Sequence, residues 1–312
     1  MHWPSILLYM TSSFMIVIFN KIVLSVFSFT SVPFIMFCQS VFTIFFILAR
    51  CTKIKKPSKD IALLCIFNCA NIFFGINAAR VLNVAMFSAL RRVSILTTLL
   101  VQSYMFAEPI DSNILSAVLF MLFGSFIAAW DDLSFDAWGY TLVMITNVLT
   151  TASQIQTKIT MTGEWSKMDV LFWSSSLTTT LCFAKLLHFD PNTFDAWNQT
   201  SFQVALAFSI VLGVCINYGS TWTIEKNDAL TLSVAGTTKS AIMGLVVCAG
   251  LFDRSYIFSW WNFVGLQIST LGSFAYVFAK SLQGKKHEAS LLLLKKKQEL
   301  KNHKPSPIPT PV

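Results

Sequence analysis

Four basic side chains stand inside apolar stretches of this sequence, where charge is costly. They are Lys21, Arg91, Arg92 and Lys239. A charge at the centre of a membrane helix costs about 2.5–3.5 kcal/mol on insertion scales. Lysine and arginine can bind a phosphorylated anion there, and the planar arginine fork suits phosphate best. The alternative is that these cations bind backbone carbonyls and hold the helices together.

The elements that carry these cations are long apolar blocks. The chain has 312 residues, of which 54% are hydrophobic and 12% charged, whereas soluble domains have about 25% charged residues. A helix needs about 20 residues to span a bilayer. The blocks cover residues 5–27, 34–49, 61–79, 84–106, 113–130, 137–157, 170–187, 202–223, 229–251 and 259–279. The second block is short, and its helix could begin before Pro33. We predict an all-α polytopic membrane protein with ten transmembrane helices.

The loops between these blocks differ in charge. Alternate loops and the tail hold sixteen of the 23 Lys and Arg residues, and the opposite loops hold three. Since cytoplasmic loops collect Lys and Arg, both termini are expected in the cytosol. A glycosylation sequon at Asn198 falls on the opposite, acidic side, which agrees with this orientation.

Two segments indicate an internal repeat. Residues 83–90, NVAMFSAL, resemble residues 227–234, NDALTLSV, and each segment opens a block with mid-membrane basic residues. Five blocks separate the two segments, so the halves would run in opposite directions. This pattern is typical of transporters with 5 + 5 inverted topology and a site near the midplane. The predicted halves are about 1–133 and 134–281 of a ten-helix domain at 1–281, followed by a basic, Pro-rich tail at 282–312.

Polar residues at helical spacing predict a water-filled interior. One stripe joins Asn147, Thr151, Gln154 and Lys158, a second joins Asn68, Asn71 and Gly75, and a third includes Asn217 and Tyr218. Hydrogen bonding between helices is the alternative explanation of such residues. No buried carboxylate is expected to couple transport to protons or sodium, and no metal site or cofactor is expected.

Three of these stretches resemble a known family. They are NVAMFSALRRVSIL (83–96), GYTLVMITNVLTTASQIQTK (139–158) and KNDALTLSVAG (226–236), together with the pair Asn20 and Lys21. They are similar to nucleotide-sugar transporters of solute carrier family 35, within the drug/metabolite transporter superfamily. The D-type branch, which is similar to carriers of UDP-sugars, fits best.

The resemblance implies exchange of a cytosolic UDP-sugar for lumenal UMP by alternating access in a Golgi or endoplasmic reticulum membrane. Lys239 and Arg92 are predicted to hold the diphosphate, and Arg91 to assist or pack. Tyr218 would stack on the base, and other polar residues would bind the sugar or the base edge. The predicted site comprises Lys239, Arg92, Arg91, Lys21, Asn217, Tyr218, Asn147, Thr151, Gln154 and Thr238. The expected partners are a nucleotide-sugar, a nucleoside monophosphate and the bilayer; no nucleic acid is expected, and a homodimer is left open.

Departures from the family pattern bear on the substrate. GDP-mannose carriers have asparagines where this chain has Ser174, Ser175 and Thr238, which disfavours a guanine nucleotide. A transport-inactive scaffold or regulator of the same fold is the main alternative. A sugar-phosphate or GDP-sugar carrier and a membrane glycosyltransferase are less favoured, because an enzyme would need an acidic site that the short loop at Asp131 and Asp132 poorly provides.

Overall fold

The computed structural model describes most of the chain as helix. It covers residues 1–27, 29, 31–50, 54–82, 87, 90–128, 130, 136–163, 165–187, 195–236, 238 and 260–302. Five helices belong to the first part: α1 (Trp3–Lys21), α2 (Val32–Arg50), α3 (Lys59–Val81), α4 (Val93–Phe106) and α5 (Ser112–Ala128). A π-helical turn, Ile22–Val26, continues α1. As expected, α2 begins before Pro33.

The second part adds α6 (Ala137–Thr162), α7 (Lys167–Leu186), α8 (Thr200–Lys226) and α9 (Trp260–Asn302), with a 3₁₀ turn at Asp195–Asn198. Residues 229–236 are also helical and are called the 229–236 segment below. The backbone of α9 continues past the boundary predicted at 281. The asparagine of the sequon, Asn198, is exposed beside the start of α8.

Local signals fix several helix ends. The Ser58 hydroxyl caps α3, and the Asp136 carboxylate caps α6 by accepting from Gly139 N at 2.9 Å. Ser166 and Asp169 form a capping box at the start of α7. Such caps satisfy backbone N–H groups that have no partner within the helix. α4 ends at Ala107, whose left-handed φ of 51° stops helical propagation.

Three of the described helices are long and apolar enough to cross a membrane. They are Trp3–Leu24, Val32–Arg50 and Thr200–Lys226, and α4 and α5 are shorter apolar helices. α3 and α6 have 23 and 26 residues, which suffice for a bilayer, but both carry many polar side chains. Some of these polar residues line the interior described below; they are Asn68 and Asn71 of α3 and Thr150, Ser153, Gln154 and Thr157 of α6.

Helices pack in four main pairs: α5 with α9, α1 with α8, α3 with α6, and α2 with α7. The α5–α9 pair is the closest, since a Cβ added at Gly124 would lie 2.5 Å from Ser269 N. Glycine permits this backbone approach, as small residues do in membrane bundles. Beside this pair lies an apolar core that includes Ile95, Met121 and Tyr276.

The antiparallel course of the chain gives the bundle two chemically different ends. At the end called basic, Gln156 on α6 bonds to Asp60 O on α3, and Lys167 on α7 pairs with Glu225 on α8 at 2.9 Å. At the opposite end, called acidic after its sequence, the start of α6 packs on the end of α3. The alternating direction of the helices is therefore as the sequence predicts for the described part.

Candidate binding cavity

A cavity of about 350 Å³ lies between α2, α3, α6, α7 and α8. This volume lies within the range of small-molecule sites. Its wall is made mostly of hydroxyl and amide side chains from these five helices: Gln39, Ser40, Asn68, Asn71, Thr150, Ser153, Gln154, Thr157, Ser174, Ser175, Thr178, Asn217, Ser220 and Thr221. Val170 and Ile224 also line it, each within one turn of the basic end. The cavity thus extends from the middle of the bundle toward that end.

The described lining contains no charged side chain. Neutral amides and hydroxyls offer both donors and acceptors, which suits the hydroxyl groups of a sugar or the edge of a base. Several of these groups are held from behind. Gln154 accepts from Ser233 Oγ at 2.7 Å, and Asn68 Nδ2 donates to Ser174 Oγ at 3.3 Å. The wall is therefore a partly preorganised polar surface.

Arg91 lies directly behind this wall. Its Nη2 donates to Thr150 Oγ1 at 3.3 Å, and Thr150 lines the cavity and bonds to Asn71 at 3.0 Å. The guanidinium also lies over the ring of Phe87, 5.7 Å from its centroid. Arg91 is therefore one neutral side chain away from the cavity.

Arg92 points to the other side of α4. Its Nη1 donates to Ser125 Oγ at 2.8 Å and to Ser269 Oγ at 2.9 Å, and the residue is 4% exposed. The two serines belong to α5 and α9, neither of which lines the cavity. In this conformation Arg92 joins three helices, as in the alternative reading of the buried cations. Its role in binding diphosphate stays a prediction from sequence.

Two of the predicted polar residues on α6 also lie outside the cavity lining. Asn147 Nδ2 donates to Leu90 O at 2.9 Å, and Thr151 Oγ1 bonds to Thr97 at 2.8 Å and Thr98 at 3.1 Å. Both residues therefore connect α6 to α4 or to the chain just before it. Gln154 is the member of that stripe that lines the cavity.

Tyr218 lies in an aromatic cluster at the basic end. Its ring is 5.8 Å from that of Trp222, and the Lys167 ammonium lies over both rings at 5.7 and 5.5 Å. Asn217, its neighbour in sequence, does line the cavity. The structure thus separates two residues that the sequence placed at one site.

The remaining predicted cations lie outside the described residues. This applies to Lys239 and to the side chain of Lys21. Thr238 is described, and its hydroxyl donates to Val234 O at 3.0 Å. Lys158, from the α6 stripe, donates to Ile224 O at 3.2 Å and to Asn227 O at 2.8 Å. It therefore neutralises carbonyls at the end of α8, where a cation is favourable.

Asp228 is a buried acid at the basic end. It pairs with Lys280 at 2.7 Å and accepts from Thr231 N at 2.6 Å. Burial disfavours the carboxylate, but Lys280 and Thr231 together outweigh it, so the pKa of Asp228 is lowered from its ordinary value. This pair ties the start of the 229–236 segment to α9.

Sequence reasoning missed several cavity residues. Gln39, Ser174 and Ser175 were not among the predicted site residues, although all three line the cavity. One signal was present: Ser174, Ser175 and Thr178 follow helical spacing within one apolar block. Gln39 is a single amide in the apolar block 34–49, and no pattern in that block distinguishes it.

Comparison with known proteins gives a consistent result. Residues 5–277 match the sequence profile of the Triose-phosphate Transporter family. A UDP-sugar transporter of Drosophila melanogaster is 33% identical over 88% of this chain and 76% of its own length. A UDP-sugar transporter of Caenorhabditis elegans is 30% identical over 88% of this chain and 87% of its own. A human nucleotide sugar transporter is 30% identical over 88% of this chain and 85% of its own length.

These relatives confirm the resemblance to nucleotide-sugar transporters that the motifs predicted. They are transporters and not enzymes, as expected. A solved crystal structure of another protein has the same fold, with a TM-score of 0.67 and 14% identity. The match covers 88% of this chain and 98% of that one.

Proposed function

Because this chain belongs to the Triose-phosphate Transporter family, we propose that it carries a UDP-sugar across a membrane in exchange for UMP. The observation that carries this proposal is the cavity between α2, α3, α6, α7 and α8, with its wall of amides and hydroxyls. Such a wall suits the neutral, hydroxyl-rich parts of a nucleotide-sugar. The relatives named UDP-sugar transporters agree with this substrate class.

The diphosphate needs positive charge, and two described cations bond to residues of the cavity wall: Lys158 to Ile224 O at 3.2 Å and Arg91 to Thr150 Oγ1 at 3.3 Å. Lys158 also binds Asn227 O, whereas the hydrogen bond of Arg91 is to one neutral hydroxyl, so a phosphate could replace that contact with a stronger, charge-assisted one. We assign the first phosphate contact to Arg91 and keep Lys239 as the second cation predicted from sequence. Arg92 then serves chiefly to hold α4 against α5 and α9.

We further propose the ten-helix 5 + 5 inverted repeat, counting the 229–236 segment as part of the ninth helix. The helix pairs support it. In such a repeat each helix of the first half is equivalent to the helix five positions later, so α1 corresponds to α6, α2 to α7 and α3 to α8. The α1–α8 pair is then equivalent to the α6–α3 pair, and exchanging the halves leaves the α2–α7 pair unchanged. α1 and α6 run in opposite directions, as inversion requires. Alternating access would then be a rocking of the two halves around the cavity.

Two clusters at opposite ends are equivalent under this exchange. The acidic-end cluster joins the end of α1, the start of α2 and the start of α8; its core is Val23, Phe29, Ile35, Phe202 and Ala205. The basic-end cluster joins the end of α6, the start of α7 and the start of α3; its core is Ile61, Leu64, Cys65 and Val170. We propose that these clusters are the two gates.

The gates differ in chemistry. At the acidic end, the Trp197 ring packs edge-on against Phe29, Phe34 and Phe202 at 5.4–5.7 Å. At the basic end, the backbone of Lys55 bonds to Asp169 at 3.1 Å and to the Trp173 indole at 3.0 Å. Both gates contain packed apolar side chains, and the basic gate adds hydrogen bonds that join the chain before α3 to the start of α7.

The proposed sidedness puts the basic end in the cytosol and the acidic end in the lumen of the Golgi or endoplasmic reticulum. The excess of Lys and Arg at the basic end supports this orientation. A UDP-sugar would enter there, and UMP would return. A bound anion compensates Arg91 during reorientation, so exchange should be faster than one-way flow.

The test is uptake of radiolabelled UDP-sugars into proteoliposomes, with and without internal UMP. The proposal predicts uptake that internal UMP accelerates and that the Lys239→Gln variant loses. Equal rates with and without UMP would contradict the exchange mechanism. A scaffold protein would give no uptake in either condition, and preference for triose phosphates would identify a sugar-phosphate carrier.

A further inference from the structure

A chain of hydrogen bonds crosses from α1 through α8 to Gln39 on α2. Gln39 Nε2 donates to the backbone oxygen of Ser209 at 3.2 Å and to its hydroxyl at 3.0 Å. The Ser209 hydroxyl in turn donates to Asn20 Oδ1 at 2.5 Å. Ser209 is fully buried, whereas Gln39 lines the cavity.

These contacts fix which end of the Gln39 amide faces α8. A backbone carbonyl can only accept, so the group that reaches Ser209 O must be the amide nitrogen. The Ser209 hydroxyl can donate or accept, so the contact with the backbone oxygen is the one that distinguishes the nitrogen of Gln39 from its oxygen. The carbonyl oxygen of Gln39 is therefore directed away from Ser209.

Gly213 leaves the space that the Gln39 side chain occupies in this position. A Cβ added at Gly213 would lie 2.8 Å from Gln39 Cγ and 3.0 Å from its Cβ and Cδ. Any larger residue would push Gln39 away from α8. Among the described residues, no hydrogen-bond donor reaches the Gln39 Oε1 atom. Gln39 thus carries an acceptor of fixed direction on a residue that lines the cavity.

We propose that Gln39 selects uracil nucleotides over cytosine nucleotides by accepting a hydrogen bond from the ring N–H at position 3 of uracil. This inference rests on the proposed function and names the residue that reads the base. Uracil and cytosine differ in polarity at that position: uracil presents an N–H donor and cytosine a lone pair. A sugar hydroxyl could donate or accept, so it would not require an acceptor of fixed polarity.

The other cavity amides are less constrained. Gln154 and Asn68 bond to serine hydroxyls, which can donate or accept, so these amides can turn over without losing their partners. An amide that cannot turn over always presents its oxygen to the base, so it always repels the cytosine lone pair. Leaving a buried acceptor unpaired typically changes affinity by about 10- to 100-fold. This factor is the discrimination that we assign to Gln39.

The experiment measures competition by UMP, CMP and 3-methyl-UMP against radiolabelled UMP on the purified full-length protein. The wild type should prefer UMP over both competitors by about 10- to 100-fold. Gln39→Leu should weaken UMP binding and bring the UMP:CMP ratio within about threefold, because both bases then face an apolar group. The matched control, Asn77→Leu, alters an amide that bonds to Phe73 O on its own helix and lies outside the cavity lining, so it should keep the ratio of the wild type.

Two further variants test the position of Gln39 without changing it. Gly213→Ala places a methyl group 2.8 Å from Gln39 Cγ, so it should displace the amide and lower the UMP:CMP ratio. Ser209→Ala keeps the backbone oxygen that fixes the amide, so it should keep a ratio close to that of the wild type. Gly213→Ala keeps the inference testable if Gln39→Leu does not fold. An unchanged ratio in Gln39→Leu or Gly213→Ala would overturn the inference. So would a changed preference among UDP-sugars with the UMP:CMP ratio intact, since Gln39 would then read the sugar.

Failure of the proposed function would look different. In that case the wild type would bind neither UMP nor CMP, and no variant of Gln39 would be needed to see it. Binding of UMP with no preference over CMP would instead leave the transport proposal standing and overturn the role of Gln39.

Discussion

The two sides of this bundle differ in how they are packed. On one side, α4, α5 and α9 form what we call the scaffold side, which includes an apolar core with Met121 and Tyr276 both fully buried. On the other side, α2, α3, α6, α7 and α8 enclose the polar cavity of about 350 Å³. Dense packing transmits force without deforming, whereas a hydrated polar interior can be rearranged. Because α5 and α9 belong to different proposed halves, their tight contact would be the axis about which the halves rock while the cavity side changes shape.

Adjacent arginines mark the boundary between the sides. Arg92 bonds to serines of the scaffold side, and Arg91 bonds to Thr150 of the cavity wall. Arg92 is the N-cap residue of α4 and Arg91 comes just before it, so the two side chains leave the backbone in different directions. The same residue type thus has a structural part at one position and a proposed binding part at the next.

The largest effect is expected where α5 and α9 touch. A Cβ at Gly124 would meet Ser269 N at 2.5 Å and Gly265 O at 2.7 Å, so Gly124→Leu must force the helices apart. We expect a loss of about 3 kcal/mol or more in the free energy of unfolding, seen as failure to purify a folded, monodisperse protein. The matched control is Gly75→Ala on the cavity side, where the nearest atoms lie at 3.5 and 3.6 Å. A stable Gly124→Leu protein would show that the scaffold side is not rigid.

The arginine pair should separate stability from transport. Arg92→Gln removes two buried, charge-assisted hydrogen bonds and should cost about 1–3 kcal/mol of stability, measured by thermal unfolding in detergent. Arg91→Gln should leave the melting temperature nearly unchanged while lowering UDP-sugar exchange. If Arg91→Gln lowered the melting temperature and Arg92→Gln lowered exchange at unchanged stability, Arg92 would be the residue that binds phosphate.

Much of the fold follows from the sequence because apolar length dictates a membrane helix. The blocks 61–79 and 202–223 correspond to Lys59–Val81 and Thr200–Lys226, within a few residues at each end. Asn68, Asn71 and Asn217 line the cavity as the polar stripes predicted. The length of a helix and the position of its polar face depend on residues within that helix, so the spacing of those residues predicts both.

The rotation of each helix is not local. On α6 the sequence favoured Thr151, but Thr150 lines the cavity; at the start of α4 it favoured Arg92, but Arg91 lies behind the cavity wall. Both differences are one residue, which within α6 is a rotation of about 100°. That rotation is set by partners far away in sequence, such as Ser269 for Arg92. The orientation of Gln39 likewise depends on a residue far away in sequence, because its partner Ser209 lies on α8.

The smallest effect is expected for a single cavity amide. Asn217→Ala removes one amide from an open part of the wall, so the melting temperature should not change measurably. The apparent affinity for UDP-sugar should fall by roughly tenfold, which corresponds to one lost hydrogen bond of about 1.4 kcal/mol. Competition binding measures this value. Tyr218 lies outside the lining, so an equal loss of UDP-sugar affinity in Tyr218→Ala would show that the binding site is not limited to the cavity lining.

Filling the cavity tests the central claim most directly. Ser174 lines the cavity on α7, whereas Thr180 is an exposed residue on the same helix and outside the lining. UMP-driven UDP-sugar exchange should be abolished by Ser174→Trp and retained by Thr180→Trp, with both proteins folded in the absence of ligand. Exchange at wild-type rates in a folded Ser174→Trp protein would mean that the substrate passes elsewhere, and it would contradict the account.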